Sequence, residues 1–95
     1  MKILALEKES AGTTADQFKP HLKPEAQRVW TLYRGGIIRE IYFTKDTREA
    51  VLILECNDEN EAKNILETLP LVKEKLISFD IKPLIAYDGF ERLFK

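Results

Sequence analysis

The sequence predicts an α+β domain, a four-stranded antiparallel sheet with two helices on one face, in the order β-α-β-β-α-β. Three observations carry this. Two stretches space apolar residues as a helix does, and β-rich stretches flank them. Val51-Leu52-Ile53-Leu54 is apolar at every position, which means burial on both sides of a strand. Pro83 interrupts an apolar run from Ile77 to Tyr87 that closely follows Leu69-Pro70-Leu71. Helices that cover one face leave the other open, so a second layer is needed there.

The elements follow in order. Lys2 to Lys8 reads as the first strand, and Ser10-Ala11-Gly12-Thr13-Thr14 is a loop. Pro20 and Pro24 prevent a continuous helix before Pro24, where a missing N–H is harmless at a helix start. From there Ala26, Val29, Trp30 and Tyr33 form an apolar stripe, expected to pack on the sheet, and Gly35-Gly36 ends the helix. Ile37 to Thr44 and Glu49 to Cys56 are strands joined by a turn at Lys45-Asp46-Thr47-Arg48. Asp58 is the expected N-cap of the second helix, with Glu61 completing a capping box. Ala62, Ile65, Leu66 and Leu69 are its apolar face, and Pro70 stops it. Leu71 to Lys75 is a connector, and Leu76 to Tyr87 is the last strand, placed at an edge by Pro83. Phe90, Leu93 and Phe94 make a short apolar tail that could reach a partner.

The bulk numbers narrow the function. A chain of 95 residues is one domain, residues 1–95, and buries only roughly two-thirds of its unfolded surface. A net charge of -1 argues against nucleic acid or an anionic membrane as partner. RNA binding is further opposed by the third strand, which offers no aromatic for base stacking. The single cysteine, Cys56, cannot form an internal disulfide, which suits a reducing cytoplasm, and reads as a small buried hydrophobe. The apolar start, Ile3 to Leu6, is too short for a signal segment or a membrane span. One histidine and one cysteine cannot build an ordinary zinc site, and no phosphate-binding glycine motif is present, so neither metal nor cofactor is expected.

Candidate chemistry is sparse. His21 precedes a helix start between Pro20 and Pro24, and Glu25 lies four residues on, where a carboxylate could orient the imidazole for proton transfer. Strict alternation on the second strand groups Ile37, Arg39, Ile41 and Phe43 on one face and Ile38, Glu40, Tyr42 and Thr44 on the other. Arg39 would hold a substrate carboxylate by its two-pronged geometry. Glu40 and Tyr42 would instead supply a base and a hydrogen-bond donor. On the last strand Ser78, Asp80 and Lys82 share a face, and a buried Asp80 could carry a proton. A surface histidine and rim charges are the plainer account of the same residues.

Several of these segments resemble muconolactone isomerase and its small relatives. The resemblance lies in Gly36-Ile37-Ile38-Arg39-Glu40-Ile41-Tyr42, Leu52-Ile53-Leu54-Glu55, Leu66-Glu67-Thr68-Leu69-Pro70-Leu71 and Phe79-Asp80-Ile81, and covers roughly residues 22–85. Leu69-Pro70-Leu71 is its most specific part. The chain departs from that family at Glu40, where the family has histidine, and at Lys82, where it has glutamate. The resemblance implies a ferredoxin-like fold and a dimeric α+β barrel, in which two sheets from two copies meet face to face. It also implies a cofactor-free enzyme moving a proton on a small organic acid or lactone. His21, Glu25 and Glu40 would be acid/base candidates, with Arg39, Tyr42 and Asp80 around the substrate. A non-catalytic homodimer that binds a small ligand, or is purely structural, is the alternative.

Overall fold

A computed structural model describes residues 1–95. Strands β1 (Lys2–Glu9), β2 (Ile38–Phe43), β3 (Ala50–Glu55) and β4 (Ile77–Pro83) form one sheet in the order β2-β3-β1-β4. Every neighbouring pair is antiparallel. The helices are α1 (Ala15–Phe18), α2 (Leu22–Arg34), α3 (Glu59–Leu66) and α4 (Pro70–Lys73). A 3-10 turn, Lys19–His21, joins α1 to α2, and another, Gly89–Phe94, ends the chain. The four-stranded antiparallel sheet with helices, and the edge position of β4, are as the sequence predicts.

Register explains which side chains are buried. Ile3 opposes Leu54 and Ala5 opposes Leu52, and these four are at most 1% exposed beneath the helices. Leu32 from α2, Ala62 and Leu66 from α3, and Leu69 complete this core. Fully burying each large aliphatic side chain contributes about 1.5–3 kcal/mol. The alternate positions Leu4, Leu6, Val51 and Ile53 face the other way and are only half-buried. That face has no helix over it.

Local differences from the sequence reading have physical causes. The first long helix begins at Leu22, not Pro24, because Pro24 falls in the first turn, where its missing N–H has no intrahelical acceptor to lose. Trp30 and Tyr33 do not pack on the sheet. They are 59% and 47% exposed and stack on each other at 6.2 Å. The buried side of α2 is instead Val29 and Leu32, with Glu25 and Arg28 half-buried. Both polar residues turn inward because partners await them there: the Leu71 N–H for Glu25 and the Thr68 hydroxyl for Arg28. Gly36 has φ +82°, the left-handed conformation that closes the helix end.

Asp58 caps α3 as expected, accepting the Glu61 N–H at 2.7 Å. The Glu61 side chain accepts from the Asn57 amide rather than completing the capping box. Helix α3 ends at Leu66, and Pro70 opens α4 where a connector was expected, since proline suits a first helical position. The last strand stops at Pro83, short of Tyr87, so the segment beyond leaves the sheet. On β2 the strict alternation fails. A register shift lies between Ile38 and Glu40, and Ile38, Ile41 and Phe43 oppose Leu54, Leu52 and Ala50 on the helix side. Glu40 and Tyr42 oppose Ile53 and Val51 on the open side, with Arg39 at the bulge.

Candidate functional site

The helices do not cover the whole of their face of the sheet. Ile41 and Phe43 point to the helix side yet are 40% and 61% exposed, and the Arg48 guanidinium lies 4.8 Å from the Phe43 ring. They form an uncovered apolar patch at the end of β2, beside the start of β3. Strand alternation brings Glu7 to the same side as Ile3 and Ala5, and its Oε1 accepts the Ala50 N–H at 2.7 Å. Glu25 enters from α2, and its Oε1 accepts the Leu71 N–H at 2.9 Å.

Both carboxyls titrate above the ordinary carboxylate range. Burial is the main cause for Glu7, opposed by the Ala50 N–H and reinforced by the charges of Glu9 and Glu49. Burial is also the main cause for Glu25, opposed by the Leu71 N–H and reinforced by the charge of Glu7. That influence places Glu7 and Glu25 within electrostatic reach of each other. A carboxyl whose pKa is raised keeps its proton to higher pH than an ordinary surface carboxylate, which suits it better to general acid/base work.

The residues predicted from the sequence fall in three places. Glu25 stands half-buried on the inner side of α2, bonded to the Leu71 amide. His21 is half-buried at the N-cap of α2, one turn before Glu25, but Glu25 accepts from the Leu71 N–H and makes no hydrogen bond with the imidazole. Glu40 and Tyr42 form a pair on the open face, the phenol donating to Glu40 Oε1 at 2.9 Å. That hydrogen bond, then the carboxylate charge, raises the Tyr42 pKa. Arg39, beside them on the bulge, donates from Nε to the Gly36 carbonyl. Asp80 stands on edge strand β4, 3.4 Å from the Lys82 ammonium. It also borders an open groove of about 380 Å³ between α3 and β4, with Glu59, Lys63, Leu66, Phe79 and Ile81.

Glu7 was missed by sequence reasoning. Its signal was the alternation of β1, which puts Ile3, Ala5 and Glu7 on one face and so turns a charge toward the core. No group of three or more His, Cys, Asp or Glu side chains stands where it could hold a metal ion. No helix is long and apolar enough to cross a membrane.

No protein-family model and no curated protein sequence matches the chain. The fold does have a solved counterpart. The chain is similar to 5-chloro-2-hydroxyhydroquinone dehydrochlorinase (TftG) from Burkholderia phenoliruptrix AC1100, solved in complex with 2,5-dihydroxybenzoquinone. The TM-score is 0.66 over 94% of this chain and 98% of that one, with 18% identity. At that identity the likeness is one of fold: both are small α+β domains of the ferredoxin-like kind. This agrees with the ferredoxin-like fold implied by the resemblance to muconolactone isomerase.

Proposed function

We propose that the chain is a cofactor-free catalyst of proton transfer on a small organic acid, lactone or hydroxylated quinone, acting as a cytoplasmic homodimer. The observation that carries this reading is the pair of half-buried carboxyls, Glu7 and Glu25, beside the uncovered Ile41 and Phe43. Glu25 is the acid/base group. The charge of Glu7 favours its protonated form, and His21 stands one turn away to relay the proton to solvent. A flat, partly apolar ring suits the uncovered patch. The fold shared with a dehydrochlorinase of hydroxylated aromatics adds weight to the substrate class. A homodimer is favoured by the open face, where Leu4, Leu6, Val51 and Ile53 have no cover of their own.

A second reading has its own observation. The hydrogen-bonded Glu40–Tyr42 pair lies on the open face, with Asp80 on the same side and Arg39 near by. These groups would bear on a ligand held between two sheets, as in a non-catalytic binding module, and not on a molecule beside Glu7 and Glu25.

Hydrogen–deuterium exchange at carbon, followed by NMR on a panel of unsaturated acids, lactones and hydroxyquinones, separates the two. On the catalytic reading Glu25→Gln loses about 100-fold or more, the usual scale for a general acid/base, while Glu40→Gln keeps its rate. Wild-type rates in both Glu7→Gln and Glu25→Gln would remove the carboxyl pair from the mechanism.

A further inference from the structure

The chain beyond β4 does not return to the body. The Leu84 N–H still bonds the Lys2 carbonyl at 2.9 Å, and no backbone hydrogen bond closes a turn again until the Glu91 N–H meets the Asp88 carbonyl at 3.2 Å. The segment runs outward to the 3-10 turn Gly89–Phe94. The molecule measures 57 × 28 × 21 Å with a radius of gyration of 15.4 Å. A compact chain of this length has about 12 Å. The arm leaves Ile85, Tyr87, Phe90, Leu93 and Phe94 largely exposed. It is shaped all the same. The Tyr87 and Phe90 rings meet edge to face at 4.9 Å, and any side chain at Gly89 would run into the Tyr87 ring.

The open groove of about 380 Å³ between α3 and β4 is unfilled and matches the arm in chemistry. Its apolar lining includes Phe79 and Ile81, both half-buried. Along its rim Glu59, Lys63 and Glu67 follow one another a helical turn apart, yet Lys63 forms an ion pair with neither glutamate. Glu91, Arg92 and Lys95 of the arm are likewise unpaired within the chain. Phe90 and Leu93 are three apart in a 3-10 turn and so project together. Ser78 and Asp80 lie on the open side of β4 and still border the groove, so it can be entered round the sheet edge from that side. The chain's own arm is badly placed to do this. It extends the very strand that flanks the groove, and nothing reverses it after Pro83.

We propose that the arm of one copy lies in the α3–β4 groove of a second copy and that the second returns its own arm, with Phe90 and Leu93 on Phe79 and Ile81, Glu91 beside Lys63, and Arg92 beside the flanking glutamates. Each chain carries one arm and one groove, so a two-fold exchange fills both and closes the assembly. This seat rests on the homodimer reading and not on catalysis. The arms do not make the interface alone. Stable interfaces bury roughly 1,200–2,000 Å², and the arms add to what the open sheet face hides. Reach is sufficient: five extended residues, such as 84–88, span about 17 Å, and packed sheets stand only about 10 Å apart.

A charge exchange in the full chain tests the seat. Lys63→Glu and Glu91→Lys, each alone, should raise the dimer dissociation constant about 3–10-fold by sedimentation, since each spoils an exposed pair at both seats. Lys63→Glu/Glu91→Lys should restore it to within about twofold of wild type, because the pair re-forms with its signs reversed. Single variants without effect, or a double variant weaker than both, overturn the seat. Cross-linking gives a second readout. With Cys56→Ala throughout, one copy carries Ser78→Cys and the other Lys95→Cys, and the mixture meets a short bismaleimide. The expected product is a covalent dimer several-fold more abundant in the mixture than in either variant alone. Its absence overturns the proposal, as does a Ser78→Cys/Lys95→Cys chain that cross-links within itself as a monomer. A dimer indifferent to all these changes keeps the homodimer and loses the seat. A wild-type chain that stays monomeric at micromolar concentration loses both.

Discussion

Replacing Glu25 by alanine separates its structural task from its chemical one. The carboxylate caps α4 from outside that helix: Leu71 N–H donates to Glu25 Oε1 at 2.9 Å, and no side chain at Leu69 does so. Leu71 is 7% exposed, so its amide stands largely out of solvent. A buried donor left without an acceptor costs about 1–3 kcal/mol. For a domain of this size that lowers the melting temperature by about 5–15 °C. Glu25→Gln keeps an acceptor oxygen and removes a charge that burial disfavours, so it should melt close to wild type or slightly above. Circular dichroism melts at neutral pH measure both. If glutamine destabilises as much as alanine, the carboxylate is held by its charge and not by the Leu71 amide. If alanine changes nothing, the cap has no energetic role.

Two further outcomes follow from the geometry. Glu7 and Glu25 bind protons more tightly folded than unfolded, so their contribution to stability is full below the ordinary carboxylate pKa and is lost as pH rises through their raised values. Urea midpoints against pH should show this fall in wild type and a flatter curve in Glu7→Gln/Glu25→Gln; parallel curves would refute the assignment. Asp58→Ala should cost about 1 kcal/mol through loss of the α3 cap, with Asp58→Asn within a few tenths, read from denaturant melts.

Much of the fold was legible because burial writes a period into the chain. The unbroken run Val51 to Leu54 did mark a strand, but where burial on both sides was expected Leu52 and Leu54 are buried and Val51 and Ile53 only half-buried. Asp58 and Pro83 announced a cap and an edge by chemistry that acts locally. The failures came where a distant partner decides. Trp30 and Tyr33 looked like core because Val29 lies beside them on the stripe, but the inward turn of Glu25 and Arg28 rotated the helix away. The second-strand faces were misgrouped because a bulge leaves no mark in composition. The site was less legible still. Of the residues named from the sequence only Glu25 belongs to the half-buried carboxyl pair, and Glu7 became visible once β1 was set beside Ala50.

The irregularity at Arg39 has a geometric corollary. Arg39 and Glu40 together oppose Ile53, so a chain lacking residue 39 would keep Ile38, Ile41 and Phe43 on their present side, and Glu40 and Tyr42 on theirs. What would vanish is the additional curl that the surplus residue gives the strand. Strand curvature and the facing of side chains are thus independent quantities here: a single-codon deletion can straighten β2 without moving any of its other side chains to the opposite face.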